Sequence, residues 1–342
     1  MNHLNYLINK AHVKVQSPSN IAFVKYWGKL NGQIPKNPSL SMTLSECRSE
    51  TSIHFQKSGT FSILSFSFDK ELNEQFRKKT EAKILSIIEH IPWLSSYSLK
   101  IESINTFPHS AGIASSASGF SAIIFALLKF ESQLLKCDID YKRASDISRL
   151  CSGSASRSLF SGFAHWGESH FPECSNLHAT PISYDLEFEN TIAVVSTKVK
   201  DVSSTAGHSL MNSHPFADAR YEMANLNLKK IDLALQKKDL AAFGEILENE
   251  ALTLHSLMMS SMPSFILLED KSLAIIKKVR IFREQTGEHL YFTIDAGPNI
   301  HLIYQKSDTI IKFINDDIKP LCDQLIFDRK GDGPKVLEES YE

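Results

Sequence analysis

Residues 107 to 120 read FPHSAGIASSASGF, and this stretch decides how the chain is understood. It lies inside a segment, Ser103 to Leu128, with no Asp, Glu, Lys or Arg. Phe120, Ile123, Ile124, Leu127 and Leu128 follow at helical spacing, continued by Leu134 and Leu135, so a loop of small residues feeds the N-terminus of an apolar helix. Glycine and alanine let backbone N–H groups approach a phosphate closely, and the positive end of the following helix adds to the attraction. The loop lacks the Gly-Lys-Ser/Thr ending of a Walker A motif and the GxGxxG of a dinucleotide fold. Close helix packing through small side chains is the alternative reading of the same residues.

Upstream, SILSFSF (62–68) and SLKIES (98–103) alternate like strands, and Lys79 to Ile91 carries Ile84, Ile87, Ile88 and Ile91 at helical spacing. Downstream, SGFAHW and NTIAVVSTKV read as strands, the second mostly buried. Two helices follow, Tyr221 to Gln236 and Leu240 to Ser256, broken at KKD, then a third over 270–286 ended by Gly287. LYFTI and IHLIY read as paired strands around the turn DAGPN. Neither a repeat nor a low-complexity linker divides the chain, and its organisation places the domain boundary near residue 188, giving units 1–188 and 189–342.

The 342 residues suffice for two domains, and 42% hydrophobic with 22% charged residues is a globular composition. Lys plus Arg at 37 against Asp plus Glu at 39 leaves a net charge of −2, which gives no global reason to bind nucleic acid or an anionic membrane. Residues 10 to 48 are different: Lys10, Lys14, Lys25, Lys29, Lys36 and Arg48 face only Glu46. That segment is either built for an anion or is a solvated basic face. Cys47, Cys137, Cys151, Cys174 and Cys322 are odd in number, scattered and free of CxxC, which argues for a reducing, cytosolic setting. No apolar run of 18 residues and no leader-like N-terminus is present, so the expectation is a cytoplasmic protein that neither spans nor crosses a membrane.

Five further segments carry residues capable of chemistry, each with a plainer reading. SNIAFVKYWGK (19–29) sets Lys25 and Lys29 four apart beside the Tyr26 hydroxyl and the Trp27 indole; lysine is a phosphate point charge, and equally a snorkelling strand residue. SGSASRS (152–158) offers serine hydroxyls and Arg157, whose planar fork grips a carboxylate or phosphate, although serine-rich turns also simply cap helices. DVSSTAG (201–207) has the same dual reading. TIDAGPN puts Asp295 at the end of an apolar strand, as a turn former or as an acid placed to accept a proton. His165, Glu168, His170, Cys174 and His178 fall close together but match no metal-ligand spacing, so a polar hairpin is expected there and no metal site.

SNIAFVKYWGK, PKNPSLSMTLS, FPHSAGIASSASGF, SGSASRSLFSGFAHW, KDVSSTAGHS and FTIDAGPN occur in that order over almost the full chain. Together they closely resemble the diphosphomevalonate decarboxylases, members of the galactokinase, homoserine kinase, mevalonate kinase and phosphomevalonate kinase superfamily. The resemblance implies a two-domain α+β fold, an N-terminal ribosomal-protein-S5-like domain with the phosphate loop and a C-terminal ferredoxin-like domain contributing Asp295, with the site between them. It implies ATP-dependent phosphorylation of the C3 hydroxyl of mevalonate diphosphate, then loss of phosphate and CO2 to leave isopentenyl diphosphate, with Mg2+ accompanying ATP and a homodimer as the assembly.

Carried over residue by residue, the resemblance makes Asp295 the base or orienting group and has Lys25 steady the transferred phosphoryl charge. Arg157 holds the substrate carboxylate, and Tyr26, Lys29, Ser152, Gly153 and Ser154 hold its diphosphate. The loop Ser110, Gly112, Ala114, Ser115, Ser116 and Ser118 cradles the ATP phosphates, with Asn20 and Asn105 near the reaction centre and Ser204 near the phosphates. Departures from the family pattern are LNGQ (30–33) where an acid often follows KYWGK, Cys151 for glycine, His109 and Ser110 for Thr-Ala, and His208 for methionine. They bear on which phosphorylation state of mevalonate is preferred. The rivals are a 3-kinase that stops at the phosphate ester, a phosphomevalonate decarboxylase, and a silent binding protein on the same scaffold.

Overall fold

A computed structural model describes residues 8–108, 113–198 and 204–342, the side chains of 204 and 205 excepted. Strands β1 (Lys10–Val24), β2 (Ser39–Lys57), β3 (Ser62–Phe68) and β4 (Glu71–Leu72) are followed by helix α1 (Glu74–Leu85), strand β5 (Tyr97–Asn105), helices α2 (Ser115–Leu135) and α3 (Tyr141–Cys151), and the hairpin β6 (Phe163–Trp166) and β7 (Ala179–Ile182). Strand β8 (Glu189–Val194) opens a second unit with helices α4 (Ser204–Leu210), α5 (Ala217–Lys237), α6 (Leu240–Ser260) and α7 (Asp270–Thr286). Strands β9 (Leu290–Thr293) and β10 (Ile300–Tyr304), helix α8 (Asp308–Phe313) and strands β11 (Gln324–Arg329) and β12 (Lys335–Tyr341) complete the chain.

The first sheet runs β12-β1-β2-β5-β3-β4, with β6 and then β7 attached to β2; the second runs β11-β8-β10-β9. Strand β2 is long enough to serve two neighbours, pairing with β5 over Ser49–Lys57 and with β6 over Ser39–Met42. β8 begins beside the boundary read at residue 188, yet β12 pairs antiparallel with β1, Ala11 opposite Tyr341, so the chain's last strand belongs to the first sheet. The result is the expected two-domain α+β architecture.

Strand β1 explains how a lysine comes to lie inside the molecule. Through Gln16 it alternates, Ala11, Val13 and Val15 buried and His12, Lys14 and Gln16 half-buried, as a strand with one core face should. From Ser17 to Val24 every residue is buried, because α2 packs on one side and α6 of the second unit on the other. Lys25 continues from that doubly covered end. Helix α2 is long and apolar enough to cross a membrane by length and composition, but 67% of that stretch is buried inside the protein.

The helix read over Lys79–Ile91 starts earlier and stops sooner. Asn73 accepts from the Phe76 N–H and nucleates α1 at Glu74, while Ile88–His90 forms a separate 3₁₀ turn. Ile84 on α1 and Ile87 and Ile91, which flank the turn, are all buried, which is why their spacing looks helical across the break.

Candidate active site

Between the two sheets lies a cavity of about 700 Å³. Among the described residues its lining includes Lys25, Lys29, Lys79, Lys83 and Arg157 against a single acid, Asp295. Five cations around one carboxylate, in a protein of net charge −2, make this the place where a polyanion is met.

At its centre Lys25 Nζ donates to Asp295 Oδ1 at 2.8 Å and to the Ala22 carbonyl at 2.6 Å. Lys25 is 1% exposed; burial pushes its pKa below the ordinary lysine value, and Asp295, then Glu250, pull it back. Asp295 sits just past β9, in a turn where its carbonyl accepts the Gly297 N–H at 2.7 Å and faces His255 Nε2 at 3.1 Å. Its carboxylate retains 26% exposure, toward the cavity.

Arg157 lies in the 3₁₀ turn Gly153–Leu159 and is 3% exposed. Its Nη1 donates to Ser39 Oγ at 2.5 Å, its plane lies over the Trp166 ring at 5.8 Å, and Nε has no partner. No described carboxylate forms a salt bridge with it, and burial pushes its pKa down to about 10. The Tyr26 hydroxyl is likewise buried without a partner. Two orphaned donors on side chains that line one cavity fit an anionic ligand, since leaving such groups unpaired is costly. Gly153 permits the arrangement: a Cβ there would lie 2.8 Å from the Tyr26 hydroxyl and 3.0 Å from the Trp166 ring.

The remaining residues divide. Lys29 lines the cavity and donates to Gln33 Oε1 at 2.8 Å, so in LNGQ an amide takes the lysine where an acid is common in the family. Ser152, Ser154, Ala114, Ser115, Ser116 and Asn105 also line it. Asn20 and Ser118 are buried behind it instead. Asn20 Nδ2 donates to the Ser154 carbonyl at 3.2 Å and to Ser158 Oγ at 2.8 Å, bracing the arginine turn. Ser118 Oγ meets Ser49 Oγ at 2.7 Å, and Ser49 donates to Asn105 Oδ1 at 2.7 Å, tying α2 to the first sheet. His109, Ser110 and Gly112 lie outside the described residues, as does the side chain of Ser204. Of the basic segment only Lys25 and Lys29 reach the cavity; Lys14 pairs with Glu338 at 3.3 Å and Lys36 lies over the Tyr221 ring.

His208 sits between the Tyr26 and Trp27 rings, and its Nδ1 accepts the Gly28 N–H at 3.0 Å. Burial, with Lys29 and Arg157 adding to it, pushes its pKa down to about 3, so it serves as a neutral acceptor. In the β6–β7 hairpin, His165 and His170 each lie 3.1 Å from Asp232. Among the described residues no group of three or more His, Cys, Asp or Glu could hold a metal ion.

Sequence reasoning passed over α1 as a source of ligands. Gln75, Lys79 and Lys83 share one face of that helix at steps of four and line the cavity, with Phe66, Phe68 and Phe76 forming an apolar wall beside them. The spacing of those polar residues was the available signal.

A cleft between two sheets, fed by a small-residue helix N-terminus and ringed by cations around one acid, defines an enzyme acting on polyanionic small molecules. Two family models narrow this: Diphosphomevalonate decarboxylase-like N-terminal domain matches residues 17–176, and Mevalonate 5-diphosphate decarboxylase C-terminal domain matches 191–337. The diphosphomevalonate decarboxylase of Gibberella zeae is 33% identical over 314 residues, 86% of this chain and 81% of the relative; that of Candida albicans is 33% identical over 310 residues, 86% and 84%. The solved complex of MDDEF with MVAPP, AMPPCP and magnesium superposes with a TM-score of 0.83 at 29% identity, covering 96% of this chain and 99% of that one. Mevalonate diphosphate decarboxylase from Staphylococcus aureus does so at 0.83 and 29%, covering 96% and 98%. The chain belongs to the diphosphomevalonate decarboxylase family.

Proposed function

We propose that this protein carries out the ATP-dependent decarboxylation of mevalonate 5-diphosphate to isopentenyl diphosphate, releasing ADP, phosphate and CO2. The observation that carries the site reading is the Lys25–Asp295 contact, 2.8 Å across, at the centre of a cavity with five cations.

A tertiary hydroxide is a poor leaving group, and ATP supplies the phosphoryl group that makes the C3 oxygen able to depart. Magnesium fits here as a companion of the nucleotide phosphates: among the described residues the cavity presents one carboxylate and the Ser115 and Ser116 hydroxyls and no all-protein cage, as is usual for magnesium carried by phosphates. Asp295 takes or orients the C3 hydroxyl proton, and Lys25 holds that carboxylate in place while its charge offsets the phosphoryl oxygens. The unpartnered edge of Arg157 receives the substrate carboxylate until it leaves as CO2, a planar group matched to a planar fork. Tyr26, Lys29, Ser152 and Ser154 line the stretch that receives the diphosphate, with Gly153 giving them room. Ala114, Ser115 and Ser116 at the start of α2, with Lys79 and Lys83 opposite, receive the nucleotide phosphates; Ser118 and Asn20 support these walls from behind. Ser110, Gly112 and Ser204 are assigned to the phosphates by family resemblance, and Asn105 by that resemblance and its place on the wall.

The order β11-β8-β10-β9 with intervening helices supports a ferredoxin-like second domain beginning near residue 189, and the first sheet with β12 supports an S5-like first domain. Phe216, Met223, Leu226 and Leu233 are exposed along one side of α5, which supports a homodimer; the five free cysteines support a cytoplasmic setting.

The test is one reaction of purified protein with Mg-ATP and mevalonate diphosphate, following ADP and CO2 together, with mevalonate and its 5-monophosphate in parallel. Equal ADP and CO2 from the diphosphate is the expected result. ADP without CO2 makes the protein a 3-kinase, CO2 only from the monophosphate reassigns the substrate, and neither product leaves a binding protein.

A further inference from the structure

The backbone of Lys25 is gripped as firmly as its side chain. Its N–H donates to Glu250 Oε2 at 2.9 Å, and its carbonyl accepts from Arg220 Nη2 at 3.0 Å and from Asn37 Nδ2 at 2.9 Å. Glu250 and Arg220 meet in a two-point pair, Nη1 to Oε1 at 2.8 Å and Nη2 to Oε2 at 2.7 Å, and Asn227 Nδ2 adds a bond to Oε1 at 2.7 Å. Glu250 is fully buried and Arg220 is 1% exposed.

Taking two charges out of water is expensive, and a well-packed apolar pair in such a place is often as stable or more so. An apolar pair, however, offers no acceptor for the Lys25 N–H and no donor for its carbonyl. The pair comes from α5 and α6 of the second unit, whereas Lys25 follows β1 of the first. Helix α6 also carries His255, one and a half turns beyond Glu250, whose Nε2 lies 3.1 Å from the Asp295 carbonyl. One helix therefore braces the main chain of both members of the Lys25–Asp295 contact.

We infer that Glu250 and Arg220 are positioning residues for the reaction, clamping the Lys25 peptide between them and so fixing its ammonium against Asp295. The inference rests on the roles proposed above for Lys25 and Asp295. A displacement of about 1 Å in a reacting group can cost on the order of a hundredfold in rate, and a shortened Glu250 side chain withdraws the acceptor that holds the Lys25 N–H.

The test compares two identical changes on α6. Glu250→Asp keeps the buried charge beside Arg220 but withdraws it from the Lys25 N–H. Glu248→Asp shortens the buried Glu248 in the same way; that glutamate pairs with Arg283 at 2.7 Å and makes no hydrogen bond to Lys25. Per folded molecule, kcat of Glu250→Asp is expected to fall about tenfold or more with KM for mevalonate diphosphate within about threefold, as loss of an interaction made in the transition state requires. Glu248→Asp keeps kcat near wild type.

The alkaline limb of the kcat profile moves to lower pH in Glu250→Asp, because the acid that helps keep Lys25 protonated has receded. The other charged or titratable groups facing Lys25 are Asp295, Arg157, Arg220 and His301, and all are retained. A wild-type kcat and limb in Glu250→Asp, or equal losses in the two variants, overturns the inference. Asp295→Asn measured alongside separates the two readings: if it stays active the site assignment fails, and if it is inactive while Glu250→Asp is normal only the clamp fails.

Discussion

Asp295 and His208 show what single side chains do here. If Asp295 organises the proton of the C3 hydroxyl, Asp295→Asn should lower kcat, measured per folded molecule, by about 10²–10⁴-fold, the usual contribution of a positioned acid or base. Kinetics within tenfold of wild type would assign that proton elsewhere. His208 makes a prediction about acid stability. Its pKa is about 3 in the folded protein against an ordinary 6.5, so on acidification the unfolded chain takes up the proton first. A depressed group contributes stability that is complete above 6.5 and is lost as pH falls from there toward 3. His208→Met, the family's commoner residue, removes that dependence and leaves the Gly28 N–H without its acceptor, at about 1–3 kcal/mol. The variant should therefore melt below wild type at neutral pH, and the gap should close as the pH is lowered from 6.5. A gap that is constant across that range in calorimetric melts would remove His208 from the acid response.

Among the elements, α6 is the one whose placement matters most, and Gly244 sets it. A Cβ at Gly244 would lie 2.0 Å from the ring of Tyr291 on β9, so the helix approaches that strand closely only because the side chain is missing. Two effects oppose each other in Gly244→Ala: helix propensity gains about 1 kcal/mol, and overpacking costs about 1–3 kcal/mol. A separation of 2.0 Å to a buried ring leaves no room for a small adjustment, so overpacking should win, lowering the urea midpoint and, because β9 leads to Asp295, lowering kcat as well. A raised midpoint would show that the ring yields. Helix α7 was legible in the sequence because it keeps one buried face and a clear stop, Gly287 with a φ of 73°, whereas α2 and the paired strands β9 and β10 were legible as apolar runs bounded by the small-residue loop and by the turn DAGPN, although β9 and β10 are buried throughout. The full extent of β1 and β2 was not, since strands covered on both faces lose their alternation. Of the site, Lys25, Arg157 and Asp295 were legible through their motifs. Lys79 and Lys83 were not, because on a helix surface they read as solvated, and Glu250 and Arg220 were not, because nothing in a sequence shows that a charge on a helix, in the middle of α6 or in the first turn of α5, is buried.

For the molecule as a whole, the question is whether two sheets and a cleft unfold as one unit. The chain order would separate them near residue 189, but besides the bonds of Glu250 and Arg220 to the Lys25 peptide two further ties run back across. Strand β12 completes the edge of the first sheet against β1. Asp328, on β11 of the second sheet and 3% exposed, accepts the backbone N–H groups of Ser45 and Glu46 on Oδ1 and of Cys47 on Oδ2, each at 2.8 Å. Those three consecutive donors lie where β2 passes from its β6 partnership to its β5 partnership, so no neighbouring strand takes them and the carboxylate is the substitute for a ladder. Asp328→Ala leaves all three unpaired, at about 1–3 kcal/mol for each one that water does not reach. That is a large fraction of the 5–15 kcal/mol a whole domain commonly has. The expected outcome in differential scanning calorimetry is a single cooperative transition for the wild type and, for Asp328→Ala, a lower onset with the transition broadened or split, because the coupling of β2 to the second sheet then rests on the bridge of Leu44 to Lys330 and the Gly331 N–H on the Thr43 carbonyl. The same variant should lose decarboxylase activity at temperatures where far-ultraviolet circular dichroism still shows folded helices, since the cleft exists only while both walls are held together. A variant that melts in one step at the wild-type temperature would show that β12, the Glu250–Arg220 bonds to Lys25 and the apolar contacts behind the cleft suffice to join the two units without Asp328.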